Sequence, residues 1–235
     1  MKDLSKHPCF NKDVKGSCGR VHLPVAPACN VSCGYCNRKY DCVNESRPGV
    51  TSAVLSPIQA VSYLRKAKEI NPSLTVAGIA GPGDPMANPK QTLETLRLIK
   101  KSFPEMIFCL STNGLGLPPH IDELVELGVT HVTITVNAID PLIGAKIYNW
   151  VREKKRPLRG VAGAKLMLER QIESVKLLKA KDVLVKINSI IVPGVNEDHI
   201  GEVAKEMYML GADIINCIPL VPAEGSDFEH LAEPT

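Results

Sequence analysis

From residue 74 to residue 218 the chain repeats one pattern: a short apolar run, a polar or glycine-rich turn, then a longer amphipathic segment. This alternation restricts the fold more than any other feature, because strand–helix units in series build parallel sheets. Apolar runs at 22–27, 74–80, 106–111, 130–136, 183–192 and 213–218 are predicted strands. One helix is predicted to start at Ser56-Pro57, with the serine as cap and the proline in the first turn, and apolar Ile58, Val61, Leu64 and Ala67 follow at helical spacing. Further helices are predicted over 89–102, 119–127, 164–180 and 197–210, and Gly128 and Gly211 stand where two of them stop. Six such units predict an α/β protein, a parallel TIM-like (βα) barrel that is partial; a three-layer sheet is the arrangement the pattern leaves as alternative. Polar or glycine-rich clusters follow most predicted strands, at 29–36, 81–85, 111–114, Asn137, Asn188 and Pro219. In barrels those strand ends carry the active site. Residues 1–235 are expected to form a single domain, with the cysteine-bearing segment 1–21 packing at the barrel mouth.

Eight cysteines in 235 residues are the second constraint. Cys9, Cys18, Cys29, Cys33, Cys36 and Cys42 crowd the start, whereas Cys109 and Cys217 each close an apolar run. Disulfide scaffolds are short and loop-rich, and clustered cysteines in a reducing compartment point to metal instead. The start, Met1 to Lys6, is polar and predicts no signal peptide. No run approaches the roughly 18 apolar residues of a membrane span, so a cytoplasmic location is expected. A net charge of +3 is too small to argue for nucleic acid or a membrane surface. The one basic run, Arg152-Glu153-Lys154-Lys155-Arg156 with Arg159 behind it, is expected to be a solvated loop, with a basic rim facing an anionic substrate or partner as the alternative.

Cys29-Asn30-Val31-Ser32-Cys33-Gly34-Tyr35-Cys36 spaces three thiolates within one short loop. Such a loop can ligate three irons of a cuboidal [4Fe–4S] cluster, and cluster sites normally use four cysteines. A fourth iron without a protein ligand makes sense if another molecule occupies it. A structural zinc site would need a fourth ligand, which Cys42 could supply. The Cys-x3-Cys-x2-Cys spacing, with an aromatic before the last cysteine, resembles the signature of the radical S-adenosylmethionine (SAM) family. That resemblance implies a full or partial (βα) barrel, SAM chelating the fourth iron, and reductive cleavage of SAM to a 5′-deoxyadenosyl radical. It also makes Gly81-Pro82-Gly83-Asp84-Pro85 similar to the glycine-rich turn that lines the SAM amino group, with Asp84 standing where Glu is common. The segment Ser111-Thr112-Asn113-Gly114 resembles the one whose hydroxyl and amide contact SAM. Thr135, Asn137 and Asn188 are candidates for ribose or carboxylate contacts, although polar residues at strand ends are as often caps.

The blocks His7-Pro8-Cys9-Phe10, Arg20 to Pro27, Asn37 to Glu45, Phe108 to Gly114 and Asn216 to Leu220 together resemble the NifB family, maturases of the nitrogenase cofactor precursor. The resemblance implies two further [4Fe–4S] clusters that are substrates, held by Cys9, Cys42, Cys109 and Cys217 with a histidine, either His7 or His22. Cys18 falls in no matching block and is either a sixth ligand or a free thiol. Glu45 is a candidate to bind an open iron or relay a proton; otherwise it is a surface residue of a polar loop. The implied reaction uses SAM twice, first to methylate a substrate cluster and then to abstract hydrogen from that methyl, leaving a carbide as the two clusters fuse. Implied partners are SAM, iron–sulfur donors, a cofactor carrier or scaffold, and an electron donor. The rival expectations are a radical SAM enzyme with permanent auxiliary clusters acting on a peptide or small molecule, and a non-enzymatic iron–sulfur carrier.

Overall fold

The computed structural model describes residues 6–14, 16–42 and 53–234. Its strands, in chain order, are β1 (Gly19–His22), β2 (Val31–Cys33), β3 (Leu74–Ile79), β4 (Ile107–Thr112), β5 (Val129–Thr135), β6 (Tyr148–Glu153), β7 (Arg156–Leu158), β8 (Leu184–Ile191) and β9 (Ile214–Pro219). Six of them form one sheet in the order β1-β3-β4-β5-β8-β9, and every neighbouring pair is parallel. Among the described residues β1 and β9 each pair on one side only, so the barrel is partial, as the alternation predicts. The helices are α1 (Pro57–Ile70), α2 (Pro89–Ser102), α3 (Ile121–Glu126), α4 (Pro141–Ile147), α5 (Gly160–Ala180) and α6 (Ile200–Met209). No described helix is long and apolar enough to cross a membrane.

Local chemistry explains the boundaries. Ser56 caps α1 by accepting from the Gln59 amide while the Gln59 side chain accepts from the Ser56 amide, a reciprocal pair that satisfies two end donors. The strand expected over 22–27 is displaced: β1 ends at His22, because Pro24 and Pro27 have no N–H to donate to a ladder. The short helix α4 escaped the periodic pattern, being only seven residues long and marked chiefly by its Asp140 cap on the Leu142 amide.

Alternation along each strand divides the sheet into two faces. Ala77, Ile79, Phe108, Leu110, Val132, Ile134, Val185 and Ile187 point outward into a core shared with Leu64, Leu96, Ile99, Leu124, Val175 and Val203 of the helices. The other face lines a lumen that is far more polar, with Cys109, Ser111, His131, Thr133, Thr135, Lys186, Asn188 and Asn216 alternating with those outward residues.

Residues 6–14 do not pack at the mouth, as expected, but at the opposite end. Cys9 and Phe10 pack with Val76, Ile107, Cys109, Leu184 and Ile214, all in the first half of their strands. The Lys6 carbonyl accepts from Thr75 Oγ1 at 2.8 Å, and the His7 ring lies 4.8 Å from that of Phe10 and 4.5 Å from that of His131. The physical reason is that an incomplete barrel exposes apolar side chains where its strands begin, and this segment covers them.

The basic run 152–156 is also not a loop. It forms the β6–β7 hairpin, whose β6 strand pairs antiparallel with β2 inside the cysteine motif.

Leu110 is fully buried at the centre of the outward core. Leu110→Ala should lower unfolding stability by about 2–5 kcal/mol, measured as a fall in the urea midpoint at an unchanged slope.

Candidate active site

The site is built where β1, β3 and β4 end. After β1 the chain is fastened to the turn that follows β3: Ala26 donates to the Gly81 carbonyl at 3.2 Å, and Gly83 and Asp84 donate to the carbonyls of Ala26 and Ala28 at 2.6 and 2.9 Å. The contact is so close that a Cβ on Gly83 would lie 2.1 Å from the Ala28 oxygen, which excludes any larger residue. Asn88 completes the joint, donating to the carbonyls of Ala28 and Asp84 at 2.8 Å each and accepting from the Ala28 amide. Cys29 therefore leaves a fixed point.

The rest of the loop is held from three sides. β2 pairs with β6, Arg152 donates to the Asn30 carbonyl at 2.9 Å, and Gly34 donates to that of Ile147 at 2.7 Å. From β4, the Asn113 amide donates to Asn30 Oδ1 at 2.7 Å, with its nitrogen 3.8 Å from Cys29 Sγ. Arg38 closes the loop by donating to the carbonyls of Pro27 and Pro82. Tyr35, 1% exposed, accepts from Asn137 Nδ2 at 2.9 Å.

These fastenings bring Cys29, Cys33, Cys36 and Cys42 onto one cavity, with Gly83, Asp84, Ser111, Thr112, Asn113 and Thr135 around it. Burial, then the nearby Asp84 carboxylate, pushes the Cys29 thiol up to about 12. Burial and the neighbouring Cys36 and Cys29 push Cys33 well up. Burial also raises Cys36, while the Arg38 guanidinium opposes the shift. Three half-buried thiols, crowded so that they would repel one another as thiolates, are a poor arrangement for a bare protein. They suit a bound cationic centre, which deprotonates its thiol ligands and satisfies them. Among the described residues no three His, Cys, Asp or Glu side chains take the single-ion geometry that a tetrahedral zinc needs. A cuboidal cluster, with one thiolate per iron, spreads its ligands more widely. The buried Thr135 hydroxyl has no hydrogen-bond partner and lines the same cavity, a donor free for a ligand there.

The remaining predicted site residues divide. The Asp84 carboxylate is occupied, accepting from Thr112 Oγ1 at 2.9 and 3.0 Å, the Asn113 amide at 2.6 Å and the Met86 amide at 2.8 Å. Burial raises its pKa, against the pull of those hydrogen bonds. It bolts the glycine-rich turn to the Ser-Thr-Asn-Gly segment. Asn137 is likewise used internally, by Tyr35, the Ile190 amide and Asn196. Asn188 accepts from Asn216 Nδ2 at 3.1 Å on the lumen face. His7 and Cys9 meet Cys109 deep in the lumen, with the Cys9 amide donating to His7 Nδ1 at 3.2 Å. Burial first, then the neighbouring His131, lowers His7 to about 3, and burial with Arg20 lowers His22 to about 4. Both imidazoles are therefore neutral, the form that ligates metal, and His7 Nε2 is buried without a partner. His22 packs on Gly78, whose Cβ would lie 3.1 Å from its ring. Cys18 is half-buried just before β1. Cys217 is exposed on edge strand β9; its neighbour Asn216 faces the lumen, so Cys217 faces away from it. Glu45 lies outside the described residues. Sequence reasoning missed Asn30, Arg38 and Asn88, whose polar side chains carry no motif until their partners are known.

A family model for the radical SAM superfamily matches residues 23–207. The chain belongs to the radical SAM superfamily. Among curated relatives, the FeMo cofactor biosynthesis protein NifB of Chlorobaculum tepidum is 53% identical over 99% of this chain, and that of Azotobacter vinelandii 48% over 98%. The alignments cover 55% and 46% of those proteins, so this chain spans about half the length of the curated relatives it matches. A radical SAM methyltransferase from Sphaerobacter thermophilus superposes with a TM-score of 0.65 over 94% of this chain and 60% of its own, at 18% identity. An AdoMet-bound structure of anSMEcpe gives 0.56 over 87% and 51%, at 17%. At such identities these two show the fold. Membership of the radical SAM superfamily implies a [4Fe–4S] cluster and SAM, and Cys29, Cys33 and Cys36 are the thiols on one cavity that would hold the cluster.

Gly83→Ala should displace the Ala28–Cys29 backbone and cost the reconstituted radical SAM protein most of about four irons, with its circular dichroism retained. Iron analysis beside the spectrum checks this; full iron content would show that the close approach does not position the triad.

Proposed function

We infer that this chain performs NifB-type maturation, joining two [4Fe–4S] substrate clusters into the precursor of the nitrogenase cofactor, with a carbon from SAM ending as the interstitial carbide. The observation that carries this reading is the meeting of His7, Cys9 and Cys109 inside the lumen. Cys109 precedes Thr112 of the triad cavity by three residues on β4, roughly 10 Å at strand rise. A half-buried thiol, a buried thiol and an unpartnered imidazole brought together at that depth are soft ligands of the kind an iron–sulfur substrate needs. The near-full-length similarity to NifB proteins supports the same conclusion.

Cys29, Cys33 and Cys36 would hold the radical cluster, and Gly83, Ser111, Asn113 and Thr135 would line SAM. When bound, cluster and SAM supply one-electron cleavage of the S–C5′ bond to a 5′-deoxyadenosyl radical. The protein's own contribution is placement. Asp84 and Asn88 fix the loop, and the lumen walls hold the substrate clusters near the cavity and away from water. Cys42, on the triad cavity itself, and His7 with Cys9 and Cys109 below it are the ligands proposed for the substrate clusters. Incomplete protein ligation suits clusters that must be fused and released. Roles for Glu45, His22, Cys18 and Cys217 remain part of this proposal, with Cys217 reaching a cluster only if β9 turns. A carrier or scaffold receives the product.

Anaerobic reconstitution should give about twelve irons for three [4Fe–4S] clusters, and SAM with a reductant should yield both 5′-deoxyadenosine and S-adenosylhomocysteine. About four irons with 5′-deoxyadenosine alone would falsify the reading. Cys33→Ala should abolish SAM cleavage and remove about four irons, whereas Cys109→Ala should remove iron while 5′-deoxyadenosine formation persists.

A further inference from the structure

Two cavities meet at Cys29. The inner one holds the triad, and the outer one is a cleft of about 380 Å³ between the start of the cysteine loop and the β6–β7 hairpin. Cys29 is the one lining residue they share. The floor of the cleft is apolar, from Met86, Leu115, Pro119 and Leu166, and its rim carries Arg152, Lys154 and Arg170 against one carboxylate, Glu153. The β6–β7 hairpin supplies most of that rim. Over residues 152–159 it has five basic side chains (Arg152, Lys154, Lys155, Arg156, Arg159) and one acidic (Glu153), a net +4 by count on a chain whose total is +3.

Those side chains are exposed, and no described carboxylate forms an ion pair with Lys154, Lys155 or Arg156. Arg170 is paired with Glu173 at 2.9 Å, and Arg152 lies over the Trp150 ring. The hairpin is held rigidly to the cysteine loop by the β2–β6 pairing, with Val151 opposite Val31. A charged surface with an apolar floor, fixed against a cluster ligand, is a docking surface of the kind used by redox partners.

We propose that the cleft and the β6–β7 hairpin dock an acidic one-electron carrier protein, which delivers its electron to the radical cluster by way of Cys29. The proposal rests on the radical SAM reading of the triad, not on the identity of the substrate. Each turnover that cleaves SAM consumes one electron. The carrier is oxidised by one equivalent and the cluster reduced by one, with no bond or proton exchanged in the docking step. On the radical SAM reading the inner cavity would hold SAM, so a protein donor needs a route that leaves that cavity occupied. The outer cleft is that route, because Cys29, which would ligate the cluster, lines both cavities. Charge complementarity selects the partner, since a net +4 patch speeds encounter with an acidic protein and slows a basic one.

The test uses the reconstituted holoprotein and a reduced acidic flavodoxin as probe. Lys154 and Lys155 form the two-residue turn of the hairpin, outside both ladders. The double variant Lys154→Glu, Lys155→Glu therefore reverses charge without breaking a strand. Flavodoxin binding and the second-order rate of cluster reduction should both fall about tenfold or more at low ionic strength. The difference from wild type should shrink towards 0.5 M salt, where screening is within about 5 Å. Photoreduction with a neutral deazaflavin should proceed equally in both proteins, and chemical cross-links to flavodoxin should map to residues 152–159. Unchanged flavodoxin binding and reduction in the variant, or cross-links confined to the barrel mouth, overturn the proposal. Should the variant lose iron, the neutral pair Lys154→Gln, Lys155→Gln decides by the same two rates. Failure of SAM cleavage under deazaflavin in the wild type strikes the radical SAM reading instead, and the two failures are distinct.

Discussion

The buried carboxylate of Asp84 is the joint on which the site depends. It collects the Thr112 hydroxyl and the Asn113 and Met86 amides, and so ties the turn after β3 to the end of β4. Its own amide reaches the Ala28 carbonyl, next to the first cysteine of the motif. A carboxylate taken out of water is costly unless its oxygens are satisfied, and here the donors come from two segments, the turn after β3 and the end of β4, that must both be in place. The same network that satisfies the charge therefore aligns the cysteine loop, the glycine-rich turn and the Ser-Thr-Asn-Gly segment. The price of burying Asp84 is a geometry that leaves little freedom at the cavity wall.

Around that joint the two faces of the sheet do different work. The outward face carries the apolar side chains that hold the helices, and it provides most of the driving force for folding. The lumen face gives up apolar burial for thiols, imidazoles, hydroxyls and amides. Its far end is covered by His7, Cys9 and Phe10, so polar groups within the lumen are withdrawn from solvent at that end. Burial keeps His7 and His22 neutral.

The hairpin adds a third constraint. By pairing β6 with β2 it makes the cysteine loop part of a small antiparallel sheet outside the main barrel, and it presents cationic side chains beside Cys29. Chemistry inside and recognition outside thus share one short strand.

Much of this was legible before any coordinates. Alternating apolar runs and amphipathic segments specify parallel strands covered by helices, because each period is set by local backbone geometry. The spacing of Cys29, Cys33 and Cys36 is local too, and the glycines before Asp84 mark a turn where no side chain fits. Other features depended on which distant segments meet, and spacing carries no record of that. Asp84 lines the cavity, where a ligand contact is expected, and it is also a bolt, because Thr112 and Asn113 arrive from another strand. The segment at His7 and Cys9 covers the end of the lumen where strands begin, because that is where the open barrel leaves apolar surface. The run at 152–156 is solvated, as its charge suggests, but it forms the tip of the β6–β7 hairpin, whose residues 148–151 pair with β2, a register that exists only once β2 is presented. Local spacing was enough to set the kind of fold and to put three cysteines in one loop; the meeting of distant segments decided which polar groups are consumed in holding that loop and which are left without partners.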